Sequence, residues 1–124
     1  MEENGRTVEK GYKKLIIWQK ADELAFGIYK ATKEFPRDEI YGITSQLRRA
    51  GLSVCLNIVE GYARQGRAEF RQFVRIAIGS LSEVEYLLEF SNRLDYLKAN
   101  EYKILERDRN ELGRILWSFY KNIK

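Results

Sequence analysis

A single proline, Pro36, interrupts a chain of 124 residues, so long helices can run unbroken on both sides of it. Architectures built from many strands need frequent turn signals, and these are scarce here. Four segments instead repeat apolar residues at the helical spacing. The first runs from about Trp18 to Glu34, with Trp18, Ala21, Ala25 and Ile28 three and four apart and Leu24, Ala31 and Phe35 on an adjoining stripe. It ends because Pro36 disfavours a helical Phe35 and has no N–H for the ladder. The second spans about Ile43 to Tyr62, with Gly61 and Gly66 as stop signals. The third starts near Ala68 and carries Phe70, Val74, Ala77, Leu81, Val84 and Leu88. After a turn at residues 95–100, Asn100 can cap a fourth helix whose stripe is Leu105, Leu112, Leu116, Phe119 and Ile123. Short connections between amphipathic helices make neighbours antiparallel, which predicts an all-α fold, an antiparallel up-and-down four-helix bundle over residues 15–124. Residues 1–14, with two glycines, seven charged residues and little periodicity, read as a mobile N-terminal arm.

A chain of this length buries a core without disulfides or metals, and 44% hydrophobic with 32% charged residues fits one globular domain. The longest apolar run, Leu15-Ile16-Ile17-Trp18, is far too short to span a bilayer. The acidic opening Met1-Glu2-Glu3-Asn4 does not resemble a secretory signal, and the lone Cys55 sits among apolar residues. These features together predict a cytoplasmic protein with a buried thiol.

Histidine is absent, which removes the usual general base, triad partner and zinc ligand. A di-iron bundle needs Glu-x-x-His on paired helices, so Glu60, Glu69, Glu83, Glu85 and Glu89 read as a solvated face or as partners of arginines. Cys55 on an apolar helix lacks the setting of an activated thiolate. Gly61-Tyr62-Ala63-Arg64-Gln65-Gly66 lacks the lysine and the preceding strand of a phosphate loop. No catalytic residue, metal or cofactor is expected.

The charge distribution points to binding. Residues 40–82 hold six arginines, no lysine and two acids, whereas the remainder balances 16 basic against 16 acidic residues. Arginine's planar fork suits phosphate, and equally suits carboxylate at a protein interface. Arg67, Arg71 and Arg75 stand four apart on the third helix, with Arg64 just before it. Such a ridge can neutralise phosphates along RNA or DNA, or can close a subunit interface.

The second helix is apolar over most of its circumference. Ile43, Leu47, Ala50, Val54 and Ile58 form one stripe and Leu52, Leu56 and Val59 another. A helix of that kind is buried on more than one side, so Leu52, Leu56 and Val59 are expected at a homo-oligomer interface. Asn57 and Glu60 share its narrow polar strip and are expected to be structural, with Arg48, Arg64 and Ser80 as partners. Gly27, Gly51, Gly79 and Gly113 lie inside the four helices, where close approach of a neighbouring helix compensates the propensity cost of about 1 kcal/mol each.

The run Ser53-Val54-Cys55-Leu56-Asn57-Ile58-Val59-Glu60-Gly61-Tyr62-Ala63-Arg64 resembles the bacterial four-helix-bundle family of proteins encoded in intervening sequences of 23S ribosomal RNA genes. Ile17-Trp18-Gln19-Lys20-Ala21 is similar to that family's opening and Phe35-Pro36 to its first break. Residues 44–50 precede the signature, and Glu69, Phe70 and the pattern Ala77-x-Gly79-Ser80-Leu81-x-Glu83-x-Glu85 follow it. The resemblance covers about residues 15 to 95. Cys55 stands where members often carry proline. It implies a homo-oligomeric bundle, in known members a ring of five. It also implies kinship with the accessory variability proteins of diversity-generating retroelements, basic pentamers that bind nucleic acid and a reverse transcriptase. Two functions follow as expectations. One is a nucleic-acid-binding oligomer that uses Arg64, Arg67, Arg71 and Arg75. The other is a protein-interaction scaffold or accessory subunit, for example of a reverse transcriptase, without direct nucleic-acid binding.

Overall fold

The computed structural model describes residues 11–123 and, for backbone alone, 2–3 and 6–7. Four helices make up the bundle: α1 Ile16–Thr32, α2 Ile43–Ala63, α3 Arg67–Arg93 and α4 Ala99–Asn122. Each packs against two neighbours in the cyclic order α1, α2, α3, α4, and among the described residues the backbones of the diagonal pairs do not come within 8 Å of each other, Cα to Cα. Outside the bundle, β1 (Glu2–Glu3) and β2 (Arg6–Thr7) form a two-residue antiparallel ladder, and Asn4-Gly5, a favoured hairpin dipeptide, lies between them in the sequence. The fold class remains all-α. Most of the arm expected over residues 1–14 lies outside the described residues. Its end, Gly11–Lys14, is a 3-10 turn: Tyr12 meets Trp18 edge-on at 5.1 Å, and the Gln19 side chain donates to the Lys13 carbonyl at 2.8 Å.

The helix boundaries follow from local chemistry that periodicity alone does not carry. α1 stops at Thr32 rather than Glu34, because the chain tightens to i→i−3 bonds, with Glu34 donating to Ala31 and Phe35 to Thr32. Phe35 thus stays buried, as its stripe requires, although it has left the α-helix. The Thr32 hydroxyl donates back to the Ile28 carbonyl and accepts from Arg48 Nε at 2.8 Å, which ties α1 to α2. α2 begins at Ile43 because the Glu39 carboxylate accepts from the Ile43 N–H at 3.3 Å. The other oxygen of Glu39 accepts from the Tyr96 hydroxyl at 2.8 Å, and Tyr96 leans on Phe35 at 5.4 Å, so one end of the bundle is closed. The hydrogen bond to that carboxylate raises the Tyr96 phenol above its ordinary pKa.

Asn100 lies inside the first turn of α4 and not at its N-cap, although its side-chain oxygen still accepts from the Glu101 N–H at 3.0 Å. The helix starts one residue earlier, and Glu101 reaches back to accept from the Lys98 N–H at 3.1 Å. Gly61, expected as a stop signal, lies inside α2, where it lets α3 approach.

α3 ends in a Schellman turn, with Tyr96 N–H bonded to the Ser91 carbonyl and Asp95 N–H to the Asn92 carbonyl, both at 3.0 Å. Asp95 takes φ 62° there, a conformation that strains a side chain. Replacing Asp95 with glycine should therefore stabilise the bundle by about 0.5–1 kcal/mol, read as a higher urea midpoint with an unchanged slope.

The core is built mainly from the expected stripes, with two differences: Ile17 is fully buried where the stripe was read from Trp18, and Trp18, Ile43, Phe70, Phe119 and Ile123 are only partly buried. Ile17, Leu24, Ile28, Leu47, Val54, Ile58, Val74, Val84, Leu88, Leu112 and Leu116 are fully buried. Cys55 is buried among them, and burial with the nearby charge of Asp22 pushes its thiol up to about 12. The thiol therefore stays protonated and behaves as a small apolar side chain. Of the four mid-helix glycines, Gly27 and Gly51 meet a neighbouring helix closely: added Cβ atoms would lie 3.1 Å from Leu105 and from Ile28. Gly79 does not, having nothing within 4 Å of that position, because it sits on the outer side of α3.

Candidate nucleic-acid interface

The four arginines singled out in the sequence divide into one and three. Arg64 follows the last turn of α2, and the chain then reverses through Gln65, whose φ is 62°, into Gly66 and α3. This brings Arg64 Nε within 2.9 Å of Glu60 and its Nη1 within 3.7 Å of Glu69, with the guanidinium 5.2 Å from the Phe73 ring. Arg64 is therefore a clasp across the α2–α3 turn, compensated by two carboxylates, and not a free cation of the ridge.

Arg67, Arg71 and Arg75 do form an exposed row on α3, and none has an acidic partner among the described residues. Arg75 donates to the neutral Gln72 amide at 3.0 Å, which orients it without cancelling its charge. Arg71 lies at the α3–α4 edge with its guanidinium 3.9 Å from the centre of the Tyr120 ring. A stacked guanidinium keeps its charge and its outer N–H donors available while its position is fixed. The edge continues on α4. Trp117, half exposed, lies nearly parallel to Tyr120, with ring centres 5.5 Å apart and planes at 25°, and Lys121 reaches 6.0 Å from the indole. Periodicity passed over Trp117 and Tyr120 because they fall between the stripe residues of α4. The spacing Trp117, Tyr120, Lys121, which puts two aromatics and a cation on one helical edge, was the available signal.

The second apolar stripe of α2 faces outward. Leu52 is 39% and Leu56 61% exposed, and Val59 is half-buried. Ile40 and Tyr41, the latter 94% exposed, precede them along the chain. A groove of about 530 Å³ runs over this face, lined by Tyr29, Thr44, Arg48, Leu52 and Leu56 among others. The buried Thr44 hydroxyl beside it has no hydrogen-bond partner among the described residues.

The expected polar cluster is rearranged. Ser53 and Ser80 share a hydrogen bond of 2.7 Å between α2 and α3, and the Asn57 amide donates to the Ser53 carbonyl at 2.8 Å and to its hydroxyl at 3.1 Å. Asn57 and Ser80 are thus joined through Ser53, which lies on the same polar strip of α2 as Asn57. Glu60 lies apart, exposed and paired with Arg64, and exposed pairs of this kind contribute only about 0.2–1 kcal/mol. Arg48 also lies apart, bonded to Thr32 and 4.6 Å over the Tyr29 ring. Further along the α3–α4 edge the half-buried Arg109 joins Glu106 of its own helix to Glu85 at 3.4 Å. Burial opposes its charge, and the hydrogen bond and charge of Glu106, with the charge of Glu85, outweigh burial and raise its pKa.

Three comparisons bear on this geometry. The family model described as "23S rRNA-intervening sequence protein" matches residues 13–118. Among solved structures, a Bacteroides thetaiotaomicron protein of unknown function from the S23 ribosomal protein family is similar at TM-score 0.79 and 29% identity, covering 86% of this chain and 96% of that one. Among curated proteins no match was found. No helix of the described residues is long and apolar enough to cross a membrane.

Proposed function

The chain belongs to the 23S rRNA-intervening sequence protein family, and on that premise we propose that it is a non-catalytic, homo-oligomeric bundle that binds the backbone of RNA or DNA through Arg67, Arg71 and Arg75. The observation that carries this is the exposed row of three guanidinium groups one turn apart, without acidic partners among the described residues, one of them fixed on Tyr120. Phosphates along a nucleic-acid strand present the matching series of charges, and contacts to them position a strand without reading its sequence.

The oligomer follows from α2. Leu52, Leu56 and Val59 form an outward apolar strip, with the unpaired Thr44 hydroxyl nearby, and a second copy of the chain is the proposed cover. This strip is on α2, whereas Arg71 lies at the α3–α4 edge and Arg67 and Arg75 are exposed on α3, so an assembly closed through Leu52 and Leu56 is compatible with arginines open to solvent. The five-membered ring implied by the resemblance would repeat the ridge five times and raise the local positive potential.

Changing Arg67 and Arg71 together to alanine is the test. Each phosphate contact contributes roughly 0.9 to the slope of log affinity against log salt on duplex DNA. The double variant should bind more weakly and flatten that slope by on the order of two per engaged subunit, with the oligomer mass unchanged. If the same change instead broke the oligomer, the arginines would belong to a subunit interface. A wild-type protein that bound neither RNA nor DNA at low salt would leave the protein-scaffold function in its place.

A further inference from the structure

Backbone contacts do not account for the aromatic pair on α4. Trp117 leaves half of its surface open on a helix whose Leu112 and Leu116 are fully buried, so its place is not set by the core of the single chain. The side chains at this edge are layered: the Arg71 guanidinium on the Tyr120 ring, Tyr120 alongside Trp117, and the Lys121 ammonium beyond the indole. Residues 67–75 and 114–121, which flank this edge, contain five basic residues and one acid, Glu69, which turns away to Arg64.

The Tyr120 ring is already covered by Arg71 and Trp117, which leaves the half-exposed indole of Trp117, beside several cations, to match a ligand that is itself flat at one end and anionic at the other. A nucleotide is such a ligand, provided its base is not already stacked and paired. In a duplex both faces of every internal base are covered, so a duplex could reach the arginines but not the indole. The surplus of positive charge favours a polyanion over a protein surface, which would have to supply acids opposite each cation.

We propose that Trp117, backed by Tyr120, is a base-stacking platform that makes single-stranded nucleic acid, rather than duplex, the ligand of the arginine ridge. The proposal rests on the nucleic-acid function argued above and names its substrate class.

The experiment measures fluorescence anisotropy of a labelled uridine homopolymer and of a labelled duplex of matched length, with the wild type and the variants Trp117→Ala and Trp117→Leu. The leucine variant keeps apolar bulk on the helix, and circular dichroism with light scattering verifies fold and mass for both. The wild type should prefer the single strand. Both variants should lose on the order of tenfold in single-strand affinity, keep their duplex affinity, and keep the wild-type salt slope, because no phosphate contact is removed. Equal wild-type affinity for both ligands, or single-strand binding that survives both substitutions, would overturn the platform while leaving the arginine ridge standing. Absence of binding to either ligand would overturn both.

Discussion

Replacing Leu56 with lysine is expected to turn the proposed assembly into folded monomers. In the single chain Leu56 is 61% exposed, so a lysine there meets water and disturbs nothing in the core. Only in an oligomer closed through α2 would the ammonium be buried without a partner, and an uncompensated buried charge is destabilising by about 3–5 kcal/mol. In a closed ring that penalty recurs at every interface. Light scattering at micromolar concentration should give the mass of one chain, while the helical circular-dichroism signal is retained. Sequence reasoning alone leaves open whether a charge here dissociates or unfolds the protein. The exposure of Leu56 decides for dissociation, and the lesser exposure of Leu52, at 39%, makes that position the less clean probe. A wild type that is already monomeric at this concentration would remove the homo-oligomer from the proposal.

The largest loss of stability is expected at Gly61. A Cβ there would lie 2.8 Å from Cβ of Phe73 and 2.9 Å from the Phe70 ring, closer than real side-chain contacts allow. Phe73 Cβ is rigidly attached to α3 and cannot rotate away, and Phe70 is held edge-on between Tyr62 and Phe119. A substituent would therefore push α2 and α3 apart. Overpacking of this kind costs about 1–3 kcal/mol for small insertions, and Gly61→Val, with two further methyl groups, should lose about 3 kcal/mol or more. The measurement is the urea midpoint, with helix content followed by circular dichroism. An unchanged midpoint would mean that the two helices separate freely at this end, contrary to the packing described.

The features read correctly from sequence are those whose cause is local. The apolar spacing of Ala21 to Ile28, of Leu47 to Ile58, of Val74 to Leu88 and of Leu105 to Leu116 follows from a helix having one face to bury, and these residues are in the core. The outward position of Leu52 and Leu56 was legible for the same reason, as a second stripe with no room inside. What stayed hidden depends on residues brought together across the chain. Glu60 and Glu69 were read as a solvated face or as partners of arginines, but that both fall to Arg64 and leave the other three without acids among the described residues depends on the turn at Gln65 and Gly66, and the stacking of Arg71 joins positions 49 residues apart. Gly61 looked like a stop signal because its neighbours Phe70 and Phe73 are on the next helix. The end of α1 at Thr32 was invisible to periodicity, since a 3-10 turn keeps Phe35 on the buried stripe after the α-helix has finished.

The hydrogen-bonded chain from Asn57 through Ser53 to Ser80 has a consequence for which single folded state the bundle adopts. Leucines and valines are interchangeable partners, and α3 could slide along α2 by a turn and still match apolar to apolar. The Ser53 and Ser80 hydroxyls, 2.7 Å apart, do not tolerate such a slip. One turn of displacement is about 5.4 Å, which would leave both groups in an apolar seam without each other. The pair thus acts as a vernier mark between the two longest-contacting helices. It adds little to the depth of the native well and much to its uniqueness, and every surface described above, from the α2 strip to the α3–α4 edge, depends on that one alignment.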